Sequence, residues 1–375
     1  MFIPPHCPNP ECDLYYQAPI TSWYRKISPY KTKTFGFVPR FICSSCHRSF
    51  STQTFSIDYY AKKQLPYQTI HNQINAGSGL RNIARNFHVS PRTIRNRINR
   101  LARNAILIHE TLLHQFPLNE DVAADGFESF CVSQYFPDNY HILVGKDSQF
   151  VYRWNYVTLR RKGRMRDDQK KRRAILEKRF RARPKGIETS FGNLMAFLDR
   201  ITEDRKRPLI LYTDEKKDYQ RALWRRDDLK KRLFNGSWRH HMVNSRDVRN
   251  TQNPLFPVNY IDREFRKDMA SHARESLQFS RNVNEAMLRM SLYLFDHNYL
   301  KPFRVADSEK KRFRHAQIAG LDRKVLEDSI SGFFSSRHFW RMECSLEGPG
   351  KRSLERGWKT PLKTGAEKTW KHLAA

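Results

Sequence analysis

Acidic residues are scarce in this chain. Against 69 lysines and arginines stand 38 aspartates and glutamates, a formal charge of +31 over 375 residues. Such an imbalance strains a compact fold by self-repulsion unless a polyanion lies against it. Nucleic acid is the first candidate partner, because each neutralised phosphate releases condensed counterions. Long apolar runs are also missing: nothing approaches the roughly 20 residues of a membrane-spanning helix. No amphipathic anchor stands out either, so no membrane partner is expected. The opening stretch MFIPPHCPNP lacks the basic start and apolar core of a secretory leader, and no internal repeat is found. Cysteine is sparse. Of six, four fall into two pairs while Cys131 and Cys344 stand apart, which suits a metal site in a reducing cytosol better than a disulfide framework. A cytoplasmic protein is expected.

What is present points to a folded, multidomain protein. Hydrophobic residues at 39% and aromatics at 13% exclude a disordered basic tail, and the length allows two or three cores. Residues 1–56 are rich in Pro, Ser, Thr and aromatics, with short strand-like pieces around the second cysteine pair. Residues 57–113 show helical periodicity. From residue 118 to 304 three strand patterns (EDVAADGFESFCVS, NYHILVGKD, QFVYRWNYVTL) precede a basic segment near 160–186 and a helix over ETSFGNLMAFLDRI. A buried strand in RPLILYTDEK, a helix over KKDYQRALWRRDDLKKRLF, a fifth strand in SWRHHMVN and a helix over NVNEAMLRMSLYLFDHNYL follow. That order predicts an α/β domain around a mixed five-stranded sheet. Residues 305–375 read as a basic, loop-prone tail.

CPNPEC (Cys7, Cys12) and CSSC (Cys43, Cys46) supply four thiolates from two turns. Four soft ligands suit a tetrahedral, structural zinc with no open position, hence a small β zinc ribbon. His6 and His47 are read as bystanders. In GSGLRNIARNFHVSPRTIRNRINRLAR, Leu80, Ile83, Ala84, Phe87, Val89, Ile94, Ile98 and Leu101 place an apolar stripe on each of two short helices around the turn 87–90. Ser90 as N-cap and Pro91 as first helical residue start the second helix. Arg92, Thr93, Arg95, Asn96, Asn99 and Arg100 are predicted on its outer face, where Arg and Asn match base edges or phosphates of double-stranded DNA.

Three acids stand in unusual contexts. Asp125 interrupts the apolar strand VAADGF, Asp214 closes LILYTD, and Glu285 shares a helical face with Leu288, Leu292 and Phe295. Together they could hold two magnesium or manganese ions that activate an attacking oxygen and stabilise a leaving one. Structural readings stand beside these: Asp214 as a cap for the following helix, Glu285 as an ion-pair partner.

Taken with the ribbon, ARNFHVSPRTIRNRI, VAADGFESF, LYTDEKKDYQRAL and DREFRKDMASHARESLQFSRNVNEAMLRM, the chain resembles the DDE transposases of bacterial insertion sequences. More narrowly, it is similar to those with a zinc ribbon and helix-turn-helix before an RNase H-like catalytic domain, over roughly residues 1 to 304. The resemblance implies binding of transposon ends and target DNA, metal-dependent hydrolysis and strand transfer, and assembly as a homo-oligomer. It carries the three catalytic acids to Asp125, Asp214 and Glu285, with Glu275 and Glu264 as alternatives for the third. The family's arginine run is matched by Arg266, Arg274 and Arg281, and the segment near 160–186 has the look of an insertion that grips flanking DNA. A DNA-binding regulator without cleavage activity is the competing function; a serine or tyrosine recombinase ranks last.

Overall fold

The computed structural model describes residues 2–18, 22–115, 117–244, 246–273, 276–304, 312–340, 346–371 and 373. Arg274, Glu275 and Cys344 lie outside them. Three antiparallel strands, β1 (Tyr24–Thr32), β2 (Gly36–Cys43) and β3 (Ser49–Ser51), form a small sheet in that order. Its core is aromatic rather than aliphatic. Trp23 stacks on Phe50 with ring centres 5.7 Å apart, and Phe41 and Phe55 close the cluster around Cys7, Cys12 and Cys43.

Three helices follow: α1 (Tyr67–Asn75), α2 (Leu80–Asn86) and α3 (Pro91–Leu113). As expected, Ser90 caps α3, its hydroxyl accepting from the Thr93 amide at 3.3 Å, and Pro91 opens the helix. The turn before it is left-handed at His88, with φ at 50°. The predicted second helix is not short: α3 runs 23 residues. Its stripe continues through Ala105, Ile108 and Leu112 into the main core, so the helix joins the small three-helix module to the domain behind it.

That domain is built on β4 (Val122–Phe130), β5 (Pro137–Gly145), β6 (Val151–Thr158), β7 (Leu209–Asp214) and β8 (Trp238–Val243), ordered β6-β5-β4-β7-β8. The first three strands are antiparallel, whereas β4–β7 and β7–β8 run parallel, the mixed five-stranded sheet expected. Between β6 and β7 lie α4 (Asp167–Glu177) and α5 (Gly186–Ile201), and between β7 and β8 lie α6 (Lys217–Trp224) and α7 (Asp227–Phe234). Then come α8 (Phe256–Asp268) and α9 (Val283–Phe295), the latter continued by a π-helical turn to Leu300. Strand alternation divides the interior into two layers. Val122, Ala124, Leu209 and Leu211 pack with α3, α5 and α6, while Ala123, Phe127, Ile142 and Tyr212 pack with α8 and α9.

The expected loop-prone tail is instead a folded clasp, with α10 (His315–Ile318), α11 (Arg323–Ile330) and α12 (Gly348–Leu354). The Arg337 amide donates to Phe55 O at 2.8 Å, Asn104 donates to Ser336 O at 2.8 Å, and Phe339 packs edge-on against His6. Trp358 stacks on Trp154 of β6. Scattered aromatics and backbone hydrogen bonds make these contacts, which is why no periodic pattern announced them. Among the described residues, no helix is long and apolar enough to cross a membrane.

Candidate active site and flanking modules

The four cysteines converge. Their sulfurs all lie within 4.8 Å of one another, with Cys7–Cys46 at 3.6 Å and Cys12–Cys43 at 3.9 Å. Tetrahedral thiolates about 2.3 Å from a zinc ion stand about 3.8 Å apart, so the cluster has the size to hold such a metal. The Cys7 amide donates to Leu14 O, and the Cys43 amide to Arg48 O, at 2.9 and 3.1 Å, closing each turn. The two histidines are occupied or directed elsewhere. His6 is buried between Tyr15, Phe55 and Phe339 with Nδ1 2.9 Å from Cys7 O, and His47 is exposed.

The outer face expected of α3 is only partly free. Arg92 is exposed, and Thr93 is half-buried with its hydroxyl 3.0 Å from that of Ser90. Asn99 and Arg100 are a correction: both are buried. Arg100 donates to Ile57 O at 2.7 Å and to Asn96 Oδ1 at 2.8 Å. The segment that leaves the ribbon is held to α3 by Arg100 at Ile57 O and by Arg97 at Lys63 O, 2.5 Å away, so these cations do not face solvent, while the buried side-chain amide of Asn99 makes no hydrogen bond among the described residues. Arg95 places its guanidinium over the Trp370 ring, 5.2 Å from its centre. The solvent-facing cations are Arg81, Arg85 and Arg92, on α2 and the first turn of α3.

Asp125 and Asp214 meet on one face of the sheet. The parallel register Val122↔Leu211 and Ala123↔Tyr212 extends to set Asp125 beside Asp214. Alternation then sends both toward the α8–α9 layer. The Gly126 amide donates to Asp125 Oδ1 at 2.7 Å, and the Tyr219 hydroxyl on α6 donates to the same oxygen at 3.1 Å. Burial first, then the charge of Asp214, pushes the Asp125 carboxyl up to about 6. Asp214 accepts the Lys216 amide at 3.0 Å, at the entrance of α6. The helix cap expected of Asp214 is not made: Lys216 is the N-cap of α6 and has no side-chain cap, and the Asp214 bond closes the turn just ahead of the helix.

Glu285 does not join them. It is at the first turn of α9, paired with Arg356 of the clasp at 3.0 Å, and Arg356 also binds Glu367. The ion-pair reading is the one the geometry favours. Glu264 is likewise engaged, by Lys267 at 2.7 Å and by Lys301.

The acid that does approach is Asp262 on α8, which the sequence reading missed. Burial first, then the charge of Asp125, pushes its carboxyl up to about 8. Its Oδ1 is buried and makes no hydrogen bond. Asp125, Asp214 and Asp262 all bear on the Tyr219 hydroxyl, which together with burial keeps that phenol protonated. A signal was available: Asp262 occupies the apolar stripe Val258, Ile261 and Phe265, a position where a charge is costly without a partner. Arg266, from the arginine run, lies one turn on, its guanidinium 4.7 Å from the Phe127 ring centre, and helps draw the Asp262 pKa back down, as Arg249 does. Arg281 stands apart from this group, over Phe279.

The three aspartates are spaced more widely than the cysteines: among the described residues only the cysteines bring three or more donor atoms within 4.8 Å. What distinguishes the aspartates is electrostatic: two of the three carboxyls are pushed up by burial and by the charge of a neighbouring aspartate, and one buried oxygen of Asp262 accepts no hydrogen bond among the described residues. Compared with known proteins, the chain matches no family model, and no curated protein matches it.

Proposed function

We propose that the protein is a DNA transposase: a divalent-metal-dependent enzyme that binds transposon ends, hydrolyses a phosphodiester and joins the freed 3′ end to target DNA. One observation carries the reading: Asp125, Asp214 and Asp262 gather from two parallel neighbouring strands and a covering helix, with one carboxylate oxygen left without a donor. The sheet order and its mixed directions support an RNase H-like domain. The third acid is assigned to Asp262 in place of Glu285.

Magnesium or manganese would be held by these three aspartates, and its chemistry is to activate an attacking oxygen and to stabilise the leaving one. The chain's own residues do the rest. Tyr219 fixes the orientation of Asp125, the Lys216 amide fixes Asp214, and the cations Lys216, Arg249 and Arg266 favour the ionised acids and attract phosphate. The cysteine cluster would hold a structural zinc. The ribbon and the Arg81, Arg85 and Arg92 face would recognise duplex DNA, and two copies of the chain would bring two ends together.

The test is nicking of a plasmid that carries the coding sequence with its flanking DNA, in magnesium or manganese. Asp125→Asn, Asp214→Asn and Asp262→Asn are each expected to abolish nicking while retaining binding to the flanking duplex. Binding without nicking by the unaltered protein would leave a DNA-binding regulator.

A further inference from the structure

A groove of about 1150 Å³ opens between the basic segment before and after α4 and the edge of the sheet. Lys162, Arg181, Arg183, Lys185 and Lys216 line it, together with Arg160 and Arg161. Arg160 is neutralised by Glu177, which accepts from it at 2.7 and 2.9 Å. That pair has a structural use: with Arg173 at 3.6 Å from the same carboxylate, it ties the start of the segment to the end of α4. Arg166 and Lys170 pair with Asp168 and Asp167, at 3.2 and 2.9 Å, but four cations of the groove are left over. Among the described residues, no carboxylate lies within 4 Å of Lys162, Arg181, Arg183 or Lys185.

The groove comes up to the aspartates at one residue. Lys216 lines it with its side chain and gives its amide to Asp214. Two acids, Glu128 and Asp218, also line it, and Glu128 lies 3.8 Å from the Lys216 ammonium. No aromatic ring is in the lining, so the stacking platforms that hold unpaired bases are missing. Charge without stacking suits the outside of a duplex, which presents phosphates and hides its bases.

We propose that this groove is a second DNA site, separate from the helix-turn-helix, that holds the sugar-phosphate backbone of duplex DNA beside the aspartates without regard to sequence. It rests on the reading of those aspartates as a strand-cleaving centre. Lys216 is the hinge between the two: it is a positioning residue for Asp214 and the groove's last cation before the acids.

The test uses the full chain and a random-sequence duplex of about 20 base pairs, followed by fluorescence anisotropy across a salt series. Replacing Arg181, Arg183 and Lys185 together by Gln removes three exposed charges from the surface and leaves the core intact. The slope of log affinity against log salt is expected to fall by about 2 to 3, since each phosphate contact contributes about 0.9. An unchanged slope overturns the groove and leaves the aspartates untouched. A larger loss for a single strand of the same length overturns the duplex assignment. A fallen slope in a protein whose aspartate variants nick DNA as well as the parent keeps the groove and removes the nuclease reading.

Discussion

The cysteine cluster and the aspartate cluster are both candidate metal sites, yet they are built in opposite ways. The cysteines come from two tight turns of one small module, their sulfurs 3.6 and 3.9 Å apart in pairs. Four thiolates at that spacing close a tetrahedron and leave no position for substrate. The aspartates come from β4, β7 and α8, stand wider apart, and leave one oxygen without a partner. A site that stabilises a fold can be closed. A site that does chemistry keeps unspent donors, and the fold bears the cost of holding them.

The contrast can be broken at either end, and the largest effect is expected at the cysteines. Cys12→Ser should release the bound metal to a chromophoric chelator and unfold the ribbon, because structural zinc contributes on the order of 10 kcal/mol to such modules. Retention of both metal and ribbon would make the cluster incidental. Next comes Asp125→Asn. It should lower nicking by more than about 100-fold, since even partners of metal ligands are worth about 10–100-fold, with circular dichroism unchanged.

Tyr219→Phe sharpens the comparison further. It removes the hydroxyl that orients Asp125 and should raise the metal concentration needed for half-maximal nicking by about 10-fold or more. Loss of rate at saturating metal alone would assign the hydroxyl another role. The smallest effect is one of stability. Asp125 and Asp262 are raised to about 6 and about 8 from 3.8. Between about pH 4 and 8 the folded state therefore binds more protons than the unfolded one, and this part of the stability falls as pH rises. In chelator, the Tm difference between Asp262→Asn and the parent should favour the variant at pH 8 and vanish near pH 4. Magnesium should raise the Tm of the parent alone. A variant less stable than the parent at pH 8 would mean that Asp262 has a partner it depends on.

The two clusters also differ in how far they could be read in advance. Cysteine spacing is a local signal, and so are Ser90 and Pro91, which start α3 where expected. The strands β4 to β7 were legible as short runs rich in apolar residues between turns, whereas β8, with Arg-His-His at its centre, has a weaker pattern; Asp125 and Asp214 were visible as acids in such runs. Asp262 was harder to find because its stripe on α8 is short and the neighbouring Glu285 sits on a stronger apolar face. Periodicity puts an acid on a face but does not say what the face meets. Glu285 meets Arg356, from a clasp whose contacts have no period at all. Arg100 is buried for the same reason: it meets Ile57 O, from a segment outside the helix-turn-helix pattern.

The identity of the third acid is the most direct point of attack. Plasmid nicking in manganese, measured side by side for Asp262→Asn and Glu285→Gln at a temperature where both are folded, separates the two positions. Nicking should disappear in Asp262→Asn and persist within a few-fold in Glu285→Gln, whose loss of one bond to Arg356 costs about 1–3 kcal/mol of stability. The reverse outcome, an active Asp262→Asn and an inactive, folded Glu285→Gln, would contradict the assignment of the metal site to Asp125, Asp214 and Asp262.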